Sequence, residues 1–147
     1  MNRVLVVDDH TVIRRGIQNI LRAWPEWEIS GEASSGEEAI ELTKALQPDI
    51  VLMDISMPGM GGLEATKLIR KICPQAKILL LTLHDSPEWA ETALRAGARG
   101  YVLKSDSERE LLTALTVVAG NGVYASPSLD ANRVKKIIGE MDLAEHL

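Results

Sequence analysis

Residues 4–9 read VLVVDD, four aliphatic side chains that run straight into two carboxylates. An aliphatic run without polar alternation is the pattern of a strand buried on both faces, as in a parallel sheet. Outward along the chain the figure recurs. Ile50-Val51-Leu52-Met53 meets Asp54, Ile78-Leu79-Leu80-Leu81 meets Thr82, and Tyr101-Val102-Leu103 meets Lys104. Trp27 to Ala33 alternates and reads as a further strand. Helix-period stretches separate these runs, and five strand–helix pairs predict an α/β fold, a doubly wound parallel sheet of five strands.

The first helical stripe is Ile13, Ile17 and Ile20 or Leu21, stopping before Pro25. Ser35 followed by Glu37 and Glu38 opens a second helix, and Leu63, Ala65, Leu68, Ile69 and Ile72 mark a third that Pro74 ends. Ser86-Pro87-Glu88 starts a fourth, which Gly97 closes. Asp106 or Ser107 caps a fifth, with Leu111, Leu112, Leu115 and Val118 on its buried side. Residues 1–121 make one domain on this reading. Residues 122–147 follow as an extended linker over Val123–Pro127 and an amphipathic C-terminal helix with Val134, Ile137, Ile138 and Met141 as its stripe.

Composition removes several function classes. The 147 residues suit one domain, with apolar residues at 46% and charged residues at 25%, the balance of a globular protein. A net charge of −5 repels phosphate backbones and anionic lipid, so bulk attraction to nucleic acid is out. Cys73 has no partner for a disulfide and no zinc-ligand cluster exists, which favours a reducing, cytoplasmic setting. Aliphatic runs such as Ile78–Leu81 fall far short of the ~20 residues of a membrane span, and no signal peptide is evident.

In open parallel sheets ligands bind beyond the carboxyl ends of the strands. Right-handed crossovers would bring Asp8, Asp9, Asp54, Thr82 and Lys104 to one edge. Two carboxylates ~4 Å apart repel by about 4 kcal/mol at an effective dielectric of ~20, so the trio needs a cation. Three negative charges less the charge on Lys104 leave two, which one divalent ion with oxygen ligands balances, and magnesium is the fit. Magnesium keeps positions for phosphoryl oxygens, and Lys104 and Thr82 are suited to absorb their charge. The chemistry expected is therefore phosphorylation of an aspartate.

His10 beside the acid pair reads as a rim or capping residue, and the glycines at 59, 61 and 62 as a flexible turn. Leu83 and His84 stand where they could shield a phosphoryl group, and Trp89 reads equally as a partner-face residue or a partly buried anchor.

The stretches VLVVDDH, DIVLMDISMPGMGGLEAT, LLLTLHD and GYVLK resemble the receiver domain of bacterial two-component response regulators over about residues 3–121. DDHTVIRRGI, TLHD and the GNGVYASP linker are similar to the LuxR/NarL-type, transcription-regulating members. The resemblance implies a flavodoxin-like sheet order of 2-1-3-4-5. It implies transfer of a phosphoryl group from a sensor histidine kinase to Asp54, with Thr82 and Lys104 assisting. Asp9, Asp54 and the backbone carbonyl of Ser56 match the family's direct Mg2+ ligands, and Asp8 the ligand that acts largely through water. Thr82 and Tyr101 match its switch pair.

The family role is that of a phosphoprotein in signal transduction, not an enzyme: self-catalysed phosphotransfer and autodephosphorylation are its only chemistry. A homodimer is compatible with it. DNA binding belongs to a C-terminal helix-turn-helix domain that would begin where this chain stops, so a piece of a longer regulator is expected before a stand-alone receiver. Two other readings compete: a magnesium phosphohydrolase with an aspartyl nucleophile, whose motif wants an acid where His10 stands, and an unphosphorylated receiver-like scaffold. Ser105 after Lys104, where many receivers carry a cis proline, leaves the geometry of that peptide open.

Overall fold

The computed structural model describes residues 2–127 together with 129, 136, 137, 139 and 140. Strands β1 (Asn2–Val7), β2 (Trp27–Ala33), β3 (Ile50–Asp54), β4 (Lys77–Thr82) and β5 (Gly100–Leu103) alternate with helices α1 (Thr11–Arg22), α2 (Gly36–Leu46), α3 (Gly62–Ile72), α4 (Pro87–Arg95) and α5 (Ser107–Ala119). The strands are parallel and ordered β2-β1-β3-β4-β5, as the resemblance implies.

Strand period two divides the core into two layers. Val4, Val6, Ile50, Leu52, Leu79, Leu81 and Val102 pack with Ile17 and Leu21 of α1 and Leu111, Leu115 and Val118 of α5. Leu5, Val7, Val51, Met53, Ile78, Leu80 and Tyr101 face the other way, onto Ala39 of α2, Ala65 and Ile69 of α3, and Ala90, Ala93 and Leu94 of α4. Small residues dominate that second set of helices, which lets them lie close to the sheet. The caps are those expected: Ser35 accepts from the Glu38 N–H and Ser86 from the Trp89 N–H.

The structure departs from the sequence reading in three places. The sheet has a sixth strand, β6 (Tyr124–Ala125), inside the segment expected as a linker, parallel to β5. Tyr124 and Ser126 donate to the Arg99 and Tyr101 carbonyls, and Ser126 Oγ accepts from the Leu103 N–H, covering an edge that would otherwise be bare. Ile72, expected on the buried stripe, is 46% exposed, because it is the last residue of α3, where the helix ends at the rim of the layer. A 3-10 turn, Lys104–Asp106, precedes α5, and Asp106 stands at its N-cap without a side-chain capping bond.

Most of the expected C-terminal helix, including Val134, Ile138 and Met141, lies outside the described residues. Of its stripe, Ile137 is helical and buried in the layer formed with α4, and Glu140 pairs with Arg95 of α4 at 2.6 Å.

Candidate functional site

The order β2-β1-β3 places the reversal of winding between β1 and β3, so a crevice opens between their carboxyl ends. Asp8 and Asp9 leave β1 into it, and Asp54 is the last residue of β3. Thr82 ends β4, and Lys104 follows β5. One rim therefore receives all five residues that the sequence reading singled out.

Lys104 spans the crevice. Its Nζ lies 3.1 Å from Asp8 Oδ2 and 3.1 Å from Asp54 Oδ2, with all three side chains largely buried. Burial alone would lower the Lys104 pKa, but Asp54 and Asp8 together outweigh it and hold the amine above its ordinary value. Asp54 is 4% exposed, and burial lifts its pKa above the usual carboxylate range; Lys104 opposes that rise and Asp8 adds to it. Its other oxygen, Oδ1, accepts the Ser56 N–H at 3.2 Å.

One lysine does not satisfy three carboxylates. Asp8 Oδ2 is buried and shares the Lys104 amine with Asp54, and Asp9 Oδ1 is buried with the His10 ring nitrogen 3.2 Å away, so the negative charge exceeds what the lysine offsets. Ligand atoms of Asp8, Asp9, His10 and Asp54 all lie within 4.8 Å of one another, a group able to hold a metal ion. His10, read as a rim or cap, stands at the α1 N-cap without a side-chain capping bond. Instead its N–H donates to Asp8 Oδ1 at 2.8 Å, and its Nδ1 lies between Asp8 and Asp9. Adjacency to the acid pair was the available signal; that the ring would bridge both acids was not visible in it.

Thr82 Oγ1 accepts the His84 N–H at 3.0 Å. Tyr101 lies fully buried behind it and donates its hydroxyl to the His84 carbonyl at 2.6 Å. Burial pushes the Tyr101 pKa up to about 12, so the phenol remains a donor at neutral pH. His84 itself reaches Ser56 and stacks on Trp89, contacts across 28 residues and across a loop that no local pattern announces. Leu83 points outward, 76% exposed, and with Val12, Ile13, His10 and Ser105 lines an apolar groove beside Lys104. No peptide bond among the described residues is cis, so Lys104–Ser105 is trans.

Fold and site together define a flavodoxin-like domain with an acidic, metal-capable crevice at the switch point of its sheet. The model of the response regulator receiver domain matches residues 4–116. The transcriptional regulatory protein DegU of Brevibacillus brevis is 37% identical over 134 residues, 91% of this chain and 57% of that protein. The nitrate/nitrite response regulator protein NarL of Escherichia coli K12 is 37% identical over 126 residues, 86% of this chain and 58% of that protein. A solved two-component response regulator of the LuxR family from Aurantimonas sp. SI85-9A1 superposes with a TM-score of 0.83 at 36% identity, covering 95% of this chain and 96% of that one. The chain belongs to the response regulator receiver domain family, and its relatives are of the LuxR/NarL type. It spans less than two thirds of the curated relatives' length.

Proposed function

We propose that this chain is a phosphoacceptor receiver domain: it takes a phosphoryl group from a sensor histidine kinase onto Asp54 and passes the change to a transcriptional output. The observation that carries this reading is the gathering of the Asp8, Asp9 and Asp54 carboxylates within 4.8 Å at one rim, with a single buried lysine shared between Asp8 and Asp54 to offset them. Asp8, Asp9, Asp54 and the Ser56 carbonyl would hold Mg2+, which when bound offsets the charge of the carboxylates and of an incoming phosphoryl group.

In the transfer an Asp54 carboxylate oxygen bonds to phosphorus as the phosphorus–nitrogen bond of the donor's phosphohistidine breaks, and the imidazole leaves with that electron pair. Lys104 is placed to follow the negative charge from Asp54 Oδ2 onto the phosphoryl oxygens. The Thr82 hydroxyl is one strand away and gains a new acceptor when they arrive. Only such differential contact shifts a conformational equilibrium, and Thr82 and Tyr101 form the switch pair that would carry it. The apolar groove at Leu83 and Val12 gives a protein donor a surface on which to exclude water beside the reacting carboxylate.

Residues 1–121 form the receiver on this reading, and 122–147 lead toward an output domain that reads DNA. The setting is cytoplasmic; no helix among the described residues is long and apolar enough to cross a membrane. Incubation with acetyl phosphate and Mg2+, followed by intact mass and peptide mapping, tests the central step. A single phosphoryl group on Asp54 is expected, and rapid release of inorganic phosphate through Asp8 would sink the reading.

Mg2+ at about ten times its Kd should add about 1.4 kcal/mol of stability. For a chain of this size that raises Tm by roughly 3–6 °C. Lys104→Ala keeps that rise, since the ion's oxygens remain, but slows phosphorylation about a hundredfold through loss of a charge-stabilising contact. Equal loss of both responses would contradict this division of labour.

A further inference from the structure

His84 stands two residues beyond Thr82 and gathers four contacts. Its N–H donates to Thr82 Oγ1 at 3.0 Å and its carbonyl accepts from Tyr101 at 2.6 Å. Its Nε2 lies in hydrogen-bond contact with Ser56 Oγ at 2.9 Å, and its ring stacks on Trp89, centroids 4.4 Å apart and planes 16° from parallel. The two backbone contacts are open to any residue at this position. The side-chain contacts are not: they need a flat ring with a polar edge, one face against an indole and one edge at a hydroxyl.

Each end of that bridge is anchored. Ser56 belongs to the loop that leaves Asp54, and its N–H is bound to Asp54 Oδ1. Trp89 sits in the first turn of α4, its N–H on the Ser86 cap. Trp89 is 37% exposed and is not among the buried core residues, and its ring stacks on that of His84. Asp54, Ser56, His84 and Trp89 thus form a continuous line of contacts from the crevice to α4.

We propose that His84 is a positioning residue that ties the loop leaving Asp54 to the first turn of α4, so that the state of Asp54 is registered at Trp89. The inference rests on the phosphoacceptor reading and adds to the Thr82–Tyr101 pair, which holds the His84 backbone, a side-chain branch from Ser56 to Trp89. A phosphoryl group on Asp54 takes one carboxylate oxygen into an acyl phosphate, altering what the Ser56 N–H meets. It also draws the Thr82 hydroxyl, to which the His84 N–H is bound. Both attachments of His84 on the site side change together, and the stacked indole moves with the ring.

The test uses the whole chain labelled with 5-fluorotryptophan, the Trp89 fluorine resonance being assigned by its loss in Trp89→Phe. Acetyl phosphate and Mg2+ are added, and intact mass is read on the same sample. In the wild type the Trp89 resonance shifts on phosphorylation while those of Trp24 and Trp27 hold still. His84→Phe keeps a ring without the polar edge, and His84→Gln keeps a polar edge without the ring. Both should take the phosphoryl group and lose the Trp89 shift.

A merely structural role would change Tm and leave that shift in place. Full retention of the shift in both variants overturns the link, as does wild-type phosphorylation with a still Trp89. Variants that no longer accept phosphoryl groups would put His84 in the transfer itself and overturn the positioning role. A wild type that gains no phosphoryl mass fails the phosphoacceptor reading first, and the mass spectrum distinguishes that result from the others.

Discussion

Asp54→Asn gains no phosphoryl mass under acetyl phosphate and Mg2+, and at pH 7 without metal it melts no lower than the wild type. The first half follows from chemistry: an amide lacks the anionic oxygen that attacks phosphorus, and among the described residues no other carboxylate in the crevice meets both Lys104 and the Ser56 N–H. The second half follows from burial, which lifts the Asp54 pKa above its ordinary 3.8, with Asp8 adding and Lys104 opposing. A carboxyl with a raised folded pKa holds its proton more tightly in the native state. Its contribution to stability is therefore full below the unfolded pKa and is lost as pH climbs through the folded one.

Above that window the ionised side chain works against the fold, and asparagine, nearly the same shape without the charge, removes the penalty. Lys104 keeps a partner, since Asp8 lies equally close. Melting temperatures from pH 4 to pH 8 check this. The gap between variant and wild type should open as pH rises and shrink when Mg2+ is added. Labelling of the variant at the wild-type rate would remove Asp54 from its role, and a Tm well below wild type at pH 7 would refute the electrostatic account.

The five site residues were legible because each follows a run of aliphatic side chains, and a parallel sheet must present such positions together. The same logic marked the runs as buried on both faces, while the division into layers is seen in the structure: Val4 and Val6 face one way, Leu5 and Val7 the other. Sheet order was not in the pattern, which is the same for any arrangement of five buried strands; it came through the resemblance. β6 escaped because two residues carry no period, and what makes them a strand is the open edge of β5. Ser56–His84 and His84–Trp89 escaped for a related reason, as nothing local to a hydroxyl or an imidazole says which loop it will meet.

The glycines at 59, 61 and 62 show a different limit, because a flexible turn and a crowded one have the same composition. Gly62, the first residue of α3, donates its N–H to the Ile55 carbonyl at 2.8 Å. A Cβ there would stand 2.3 Å from the Asp54 carbonyl oxygen and 2.8 Å from Ile55 Cα. Main-chain atoms cannot rotate aside, so α3 or the end of β3 must shift. Overpacking of this kind costs about 3 kcal/mol or more, and Gly62→Ala should lose roughly 10 °C in Tm.

The shifted atoms are those of Asp54 and its neighbour, so phosphorylation should slow even in the fraction that stays folded. Gly16→Ala is the matched control. Gly16 lies inside α1, where an added methyl would meet nothing within 4 Å, and alanine there should add about 0.5–1 kcal/mol through helix propensity. Opposite signs for one chemical change at two helical glycines would separate crowding from conformational freedom. A Gly62→Ala chain that melts with the wild type would show that α3 does not pin the phosphoacceptor loop by close approach.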